Sequence, residues 1–359
     1  MTLPQAHREP FGSTPDGRPV DLWRLESASG VVAEILTYGG VLHRLSVPDP
    51  AGRSRSVVLS LPDTAAYAGR SPYLGALVGR YANRIADGRF SLDGQPHQVP
   101  PNDHGHALHG GPDGFHARIW HAEPTGAGAG VRLTLLSPDG DMGFPGALSV
   151  TVVYALDEAG TLSLSFEAVT DRPTVVNLTN HAYFNLGGAG SGDVLGHLLE
   201  VEAAHYLPVA PDAIPFGPYQ EVAGTPFDLT RPTPIGAATA ADDQQVKNAG
   251  GLDHCWVLTP PPAPGALRRA ARLDDPGSGR ALEVWTTEPG VQVYTANQLD
   301  GTLADAAGHH HRPHGGVCLE TQHLPDSPNR PGYPSTVLRP GERYASRTEF
   351  RFPHLPPTG

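Results

Sequence analysis

Glycine and proline are the strongest constraint on the fold: 43 Gly and 38 Pro are spread along 359 residues rather than gathered into one linker. Both residues interrupt helices and mark turns, so dispersal at this density favours many short strands over long helices. The segments between them agree. From Val20 to Pro48, VDLWRLES, VVAEILTYGG and VLHRLSVPD alternate apolar and polar residues between Ser, Gly and Pro signals, which predicts a β meander. Val131 to Leu136, Leu148 to Leu156 and Thr161 to Val169 alternate in the same way, and Asp157-Glu-Ala-Gly predicts a hairpin between the last two. Pro173 to Thr179 reads as a further strand by its β-branched content. Helix is minor: one turn over Asp63 to Gly69 capped by its aspartate, and a segment from Gly236 to Gln245. With no linker and no fixed repeat, one domain over residues 1–359 is expected.

Composition narrows the partners. The formal charge is −12, Lys247 is the single lysine, and the arginines form no stripe that would suit phosphates, which excludes nucleic acid or an anionic membrane as an expected partner. Cys255 and Cys318 make no CxxC pair, so neither a disulfide framework nor a zinc ribbon is expected and a reducing compartment suits them. MTLPQAHREPFG lacks the basic start and apolar run of a secretion signal, and no stretch is apolar for long enough to span a bilayer. The expectation is a soluble, cytoplasmic protein.

Polar groups at strand ends are the candidates for chemistry. In TNHAYFNLGG, His181 sits where a strand meets a glycine turn; it is either a buried structural histidine or a group placed to titrate in a pocket. GRYANRI puts Asn83 between two arginines after an apolar run, and either arginine suits sugar hydroxyls, a carboxylate or loop carbonyls. NDHGHALHGGPDGF reads as a loop. Its His104, His106 and His109 superficially suggest a metal site, but no cysteine or HExxH pattern supports one, and Gly110-Gly111 after His109 leaves room for close backbone approach. Asp253 begins the apolar strand LDHCWVL, Gln292 alternates with apolar neighbours in a strand after the Glu-Pro-Gly turn, and Glu320 ends the apolar run GVCL. A carboxylate in such surroundings is either paired with an arginine or raised in pKa toward a base's range. His309, His310, His311 and His314 are read as a solvated loop.

Taken together, GRYANRI, LHGGPDGF, NHAYFNLGG, LDHCW, TTEPGVQVYTAN and CLETQHLPDSPN resemble, in order, the motifs of the aldose 1-epimerases, the galactose mutarotases. YLPVAPDAIPFG and GTPFDLTRPTPIG add two more, and the resemblance runs from about Gly12 to Phe352. It implies one large antiparallel β-sandwich domain, the supersandwich, with few short helices. It implies that Glu320 takes the anomeric hydroxyl proton, that His181 protonates the ring oxygen, and that Asn83, Arg84, His109, Tyr183, Asp253 and Gln292 contact the sugar or support those contacts. No cofactor or metal is required by that chemistry, the partner is a free sugar such as galactose or glucose, and a monomer or homodimer fits. A phosphosugar epimerase on the same fold would need a concentrated cationic site, and a non-catalytic sugar binder would have lost the acid or base. The chain departs from the family pattern at Gln298, where an aromatic is usual, and in the histidine-rich loop before GVCLE; the first bears on an apolar wall of the sugar site, the second on its rim.

Overall fold

In the computed structural model, described for residues 6–69, 71–126 and 128–353, the chain is built from antiparallel sheets. Met1–Gln5, the start of the stretch read for a leader, lies outside the described residues. Among those residues no helix is long and apolar enough to cross a membrane.

The N-terminal meander forms as its alternation predicts. Ala6–Ser13, Pro19–Glu26, Val32–Leu36, Leu42–Pro48 and Ser54–Ser56 pair in sequence order into a five-stranded sheet. A nine-stranded sheet follows, in which Leu148–Leu156 and Leu162–Thr170 pair from Leu148 opposite Thr170 to Leu156 opposite Leu162. Their even-numbered positions are buried almost without exception, as a strand with one covered face requires. Gly160, at φ 92°, and the Asp157 side chain, which accepts the Thr161 N–H at 2.7 Å, close the predicted hairpin.

The third large sheet carries the chemistry. Its strand order is Tyr183–Phe184, Val317–Gln322, Gly290–Tyr294, Asp253–Val257, His205–Tyr206 and Gln220–Glu221. The Glu-Pro-Gly turn does not make a hairpin: Arg280–Thr286 belongs to the nine-stranded sheet, and the chain crosses at the turn into Gly290–Tyr294 of this one. One buried apolar cluster spans all three sheets, including Trp23, Leu133, Val152, Trp256, Val291, Leu319 and Phe350. Each such side chain contributes about 1.5–3 kcal/mol. Phe184 packs edge-on against Phe350 at 5.1 Å, and Thr321 Oγ1 lies 2.6 Å from Thr348 Oγ1, so the six- and nine-stranded sheets face each other as a sandwich.

Two local expectations are corrected. Residues 173–179 are not one strand: Thr174–Val175 and Thr179–Asn180 pair with different partners. Between them Asn177 turns its amide onto the carbonyls of Ala82 and His323, a local bonding choice that breaks the ladder. The segment 236–245 is two helices, Ile235–Thr239 and Gln244–Ala249, because Asp243 accepts the N–H groups of Gln245 and Val246 and starts a new one. The predicted turn at Thr64–Ala68 forms, with Asp63 accepting the Ala66 N–H at 2.9 Å.

Candidate active site

Strand register assembles one wall of a polar cleft. Asp253 lies opposite Tyr294, Gln292 opposite Glu320, and Cys318 opposite both Tyr294 and Tyr183. Since side chains two apart share a face, Asp253, Gln292, Tyr294, Cys318, Glu320 and Tyr183 project to one side of this sheet. His181 enters from the chain just before Tyr183, where its N–H donates to Ala76 O and its carbonyl accepts from the Gly75 N–H, both at 2.9 Å. The opposite wall comes from the loops around Asn83 and His109. Asn83 and His109 both hold positive φ, 60° and 53°, and lock each other: the Asn83 N–H donates to His109 Nδ1 and the His109 N–H donates to the Asn83 carbonyl, both at 3.1 Å. With Nδ1 accepting, a neutral His109 carries its proton on Nε2.

The resulting cleft is lined by residues that include Tyr73, Asn83, Arg84, Asp103, His109, His181, Tyr183, Asp253, Tyr294, Gln298 and Glu320. At its centre His181 Nε2 lies 3.6 Å from Glu320 Oε1. Glu320 Oε2 is buried without a hydrogen-bond partner, as is Gln292 Oε1, whose Nε2 donates to Asp253 Oδ1 at 2.7 Å. Unpartnered acceptors on this strand face, one of them on the carboxylate beside His181, suit a ligand that brings hydrogen-bond donors. Burial pushes Glu320 well above the usual carboxylate range; the charge of Asp253 adds to the rise and Arg84 opposes it. Burial also raises Asp253, and it lowers His181 to about 4. His109 is held well below its ordinary value, first by burial and then by the charges of His181, Arg84 and His116.

The two arginines of GRYANRI separate completely. Arg80 spends its guanidinium on the carbonyls of Ser137, Pro138, Pro145 and Gly146 and on Ser137 Oγ, a structural role. Arg84 lines the cleft, and its Nε donates to Asp103 Oδ2 at 2.8 Å. It is the single guanidinium there among the described residues, facing Asp103, Asp253 and Glu320, a charge balance opposite to what a phosphate requires. Tyr183 is a support: its ring stacks on His181 at 5.1 Å while its hydroxyl donates to the Pro72 carbonyl at 2.9 Å.

The histidine clusters of the sequence are rearranged. His104 is exposed, and His106 accepts the Asp87 N–H at 2.9 Å and approaches Asp212 at 3.3 Å, so neither joins His109. The structure instead places ligand atoms of His109, His181 and Glu320 within 4.8 Å of one another, a spacing that could hold a cation and that equally suits proton transfer to a bound hydroxyl. Gly110 leaves room for the chain itself, not for a ligand: a Cβ there would meet Gly79 O at 2.2 Å. None of His309–His314 lines the cleft. His311 Nε2 bonds the Ser60 carbonyl, His314 Nδ1 bonds that of Thr295, and His309 pairs with Asp305.

Comparison with known proteins accounts for this arrangement. The family model described as aldose 1-epimerase matches residues 21–351. The chain is 42% identical to a galactose mutarotase of Bos taurus over 96% of this chain and 98% of that one, and 39% identical to an aldose 1-epimerase of Escherichia coli over 94% and 96%. The chain belongs to the aldose 1-epimerase family. Its fold follows the same line: a crystal structure of galactose 1-epimerase from Lactobacillus acidophilus aligns with a TM-score of 0.86 at 29% identity, covering 99% of this chain and all of that one. The aldose 1-epimerase reading makes this protein an isomerase that interconverts the α and β anomers of aldoses.

Sequence reasoning missed several members of this aldose 1-epimerase cleft. Asp103, Tyr73, Tyr294 and Cys318 all face it or its histidine. Period-two counting along the strands that carry Gln292 and Glu320 would have found Tyr294 and Cys318; Asp103 and Tyr73 lie in loops with no period to read.

Proposed function

We propose that the cleft takes a free aldohexose, galactose or glucose, with Glu320 as general base at the anomeric hydroxyl and His181 as general acid at the ring oxygen. The observation that carries this reading is the His181 Nε2 to Glu320 Oε1 separation of 3.6 Å, with the second carboxylate oxygen left unpartnered. Glu320 takes the O1 proton, His181 gives a proton to O5, the C1–O5 bond breaks and an aldehyde forms. Rotation about C1–C2 presents the other carbonyl face. O5 then attacks C1, its proton returns to His181, and Glu320 returns a proton to O1. Each group supplies roughly 10²- to 10⁴-fold.

The protonation states fit this cycle. Ring opening starts from a carboxylate and an imidazolium and leaves a carboxylic acid and a neutral imidazole, so the pair holds one proton throughout. Burial favours the neutral pair, the partner state of the open-chain sugar. Hydroxyl donors from a cyclic sugar stabilise the carboxylate and restore the charged pair. Asn83, Arg84, His109, Asp253 and Gln292 supply donors and acceptors to the remaining hydroxyls, and Tyr183 steadies the acid. Both cysteines are free and buried, which supports a reducing, cytoplasmic setting, and the shared core supports a single domain.

Polarimetry tests the reading. Intact protein is expected to accelerate α-to-β conversion of galactose or glucose, and His181→Asn to abolish the acceleration. Decay at the buffer rate for galactose, glucose, arabinose and xylose alike would sink it.

A further inference from the structure

Nδ1 of His181 faces a sulfur. Cys318 Sγ lies 3.5 Å from it, with both residues buried, on the strand that also carries Glu320 two positions on. Tyr73 and Tyr183 lie near parallel to the imidazole, at 5.8 and 5.1 Å and 29° and 27°, and resist its tilting. The remaining freedom is which nitrogen carries the proton of the neutral ring.

We infer that Cys318 is the positioning residue of His181: its sulfur accepts the Nδ1–H, so that Nε2 alone exchanges the proton of the reaction. This rests on the acid role proposed for His181. The step requires Nε2, the nitrogen 3.6 Å from Glu320, to lose its proton to O5 and later regain it. A neutral imidazole keeps one proton, which therefore stays on Nδ1, and Cys318 Sγ is the side-chain hydrogen-bond partner of that atom, beside the residue's own backbone. A thiol sulfur is a weak acceptor. A carboxylate in its place would raise the basicity of the imidazole, as such partners do for ligating histidines, and would hold the reacting proton too tightly. Burial, reinforced by the charges of Glu320 and Asp253, keeps the Cys318 thiol protonated, so no thiolate competes for that proton.

Nitrogen-15 NMR of histidine-labelled full-length protein at about pH 7 reads the tautomer directly. The expected result is a neutral His181 protonated on Nδ1; an Nε2–H tautomer overturns the inference. In parallel, Cys318→Ala should lower kcat about 10- to 100-fold, by analogy with lost hydrogen-bond partners of metal-ligating imidazoles, with little change in KM for galactose. Cys318→Ser, which retains an acceptor, should recover most of it. A wild-type kcat in Cys318→Ala, or a serine variant no better than alanine, overturns the inference. If Cys318→Ala fails to fold, the NMR result on the intact protein decides. Activity that survives in His181→Asn would instead defeat the acid role itself, a separate outcome.

Discussion

Two glutamate–histidine pairs lie along or just past the ends of the cleft strands, and they are tuned in opposite directions. In the cleft, His181 and Glu320 are 3.6 Å apart and Glu320 Oε2 has no partner. Beyond the ends of those strands, His323 Nδ1 lies 2.6 Å from Glu288 Oε2, and Tyr344 donates to Glu288 Oε1 at 2.9 Å. Burial acts first on all four groups. At Glu288 the His323 charge and the hydrogen bonds from His323, Tyr344 and Ser346 outweigh it, and the carboxyl falls below its ordinary value; at His323 the Glu288 charge outweighs it, and the imidazole rises. At Glu320 and His181 nothing does, so the carboxyl rises and the imidazole falls to about 4. Saturated hydrogen bonding makes a brace, whereas missing partners leave groups that can exchange protons with something else.

Substitution should separate the two pairs most sharply. Glu320→Gln is expected to lower turnover by about 10²- to 10⁴-fold, read by polarimetry, while calorimetry still detects galactose binding. Its stability should not fall. A carboxyl raised in the folded state retains a proton that the unfolded chain releases above about 4.5, so stability drops as pH climbs from there toward the raised folded value. Glutamine removes that loss, and the urea midpoint at neutral pH should rise. Glu288→Gln should do the reverse, costing about 1–3 kcal/mol through the weakened bonds of His323 and Tyr344 while turnover of the folded fraction persists. Equal effects of the two variants on turnover would erase the distinction.

Stability against pH sharpens the same contrast by a smaller amount. The lowered Glu288 contributes stability above its unfolded value near 4.5, lost as pH falls through the folded value; the raised His323 contributes below its unfolded value near 6.5, lost as pH rises through the folded one. Both contributions are complete only between about 4.5 and 6.5. Urea midpoints across that window should peak in the intact protein and flatten in Glu288→Gln.

The sandwich was legible in the sequence because alternation and turn chemistry are local: Leu148–Leu156, Asp157 and Gly160 define a hairpin without reference to the rest of the chain. The cleft was legible where polar residues end apolar strands, as at Asp253, Gln292 and Glu320, and in motifs whose order matches the family. Choices made by distant partners were not legible. Nothing in GRYANRI separates Arg80, absorbed by carbonyls 57 to 66 residues away, from Arg84, and nothing in NDHGHALH marks Asp103 as the partner of that arginine. The break at Asn177 likewise depends on His323, 146 residues on.

Asp253 offers the finest division between the two pairs, because its charge acts on Glu320 of the cleft pair. It raises Glu320 after burial has done so, whereas the leading causes at Glu288 and His323 are burial and each other. Asp253→Asn removes that charge and leaves an amide of the same shape beside Gln292. The last shared proton of the His181–Glu320 pair is then held less tightly, and the alkaline limb of kcat against pH should move to lower pH. The sugar contact proposed for Asp253 should also weaken when a carboxylate acceptor becomes an amide, by about 0.5–1.5 kcal/mol, or up to roughly tenfold in KM. The urea midpoint against pH set by Glu288 and His323 should keep its window. A KM increase with an unmoved alkaline limb would mean that Asp253 binds sugar without tuning the base, and that the missing hydrogen-bond partners alone set Glu320 apart from Glu288.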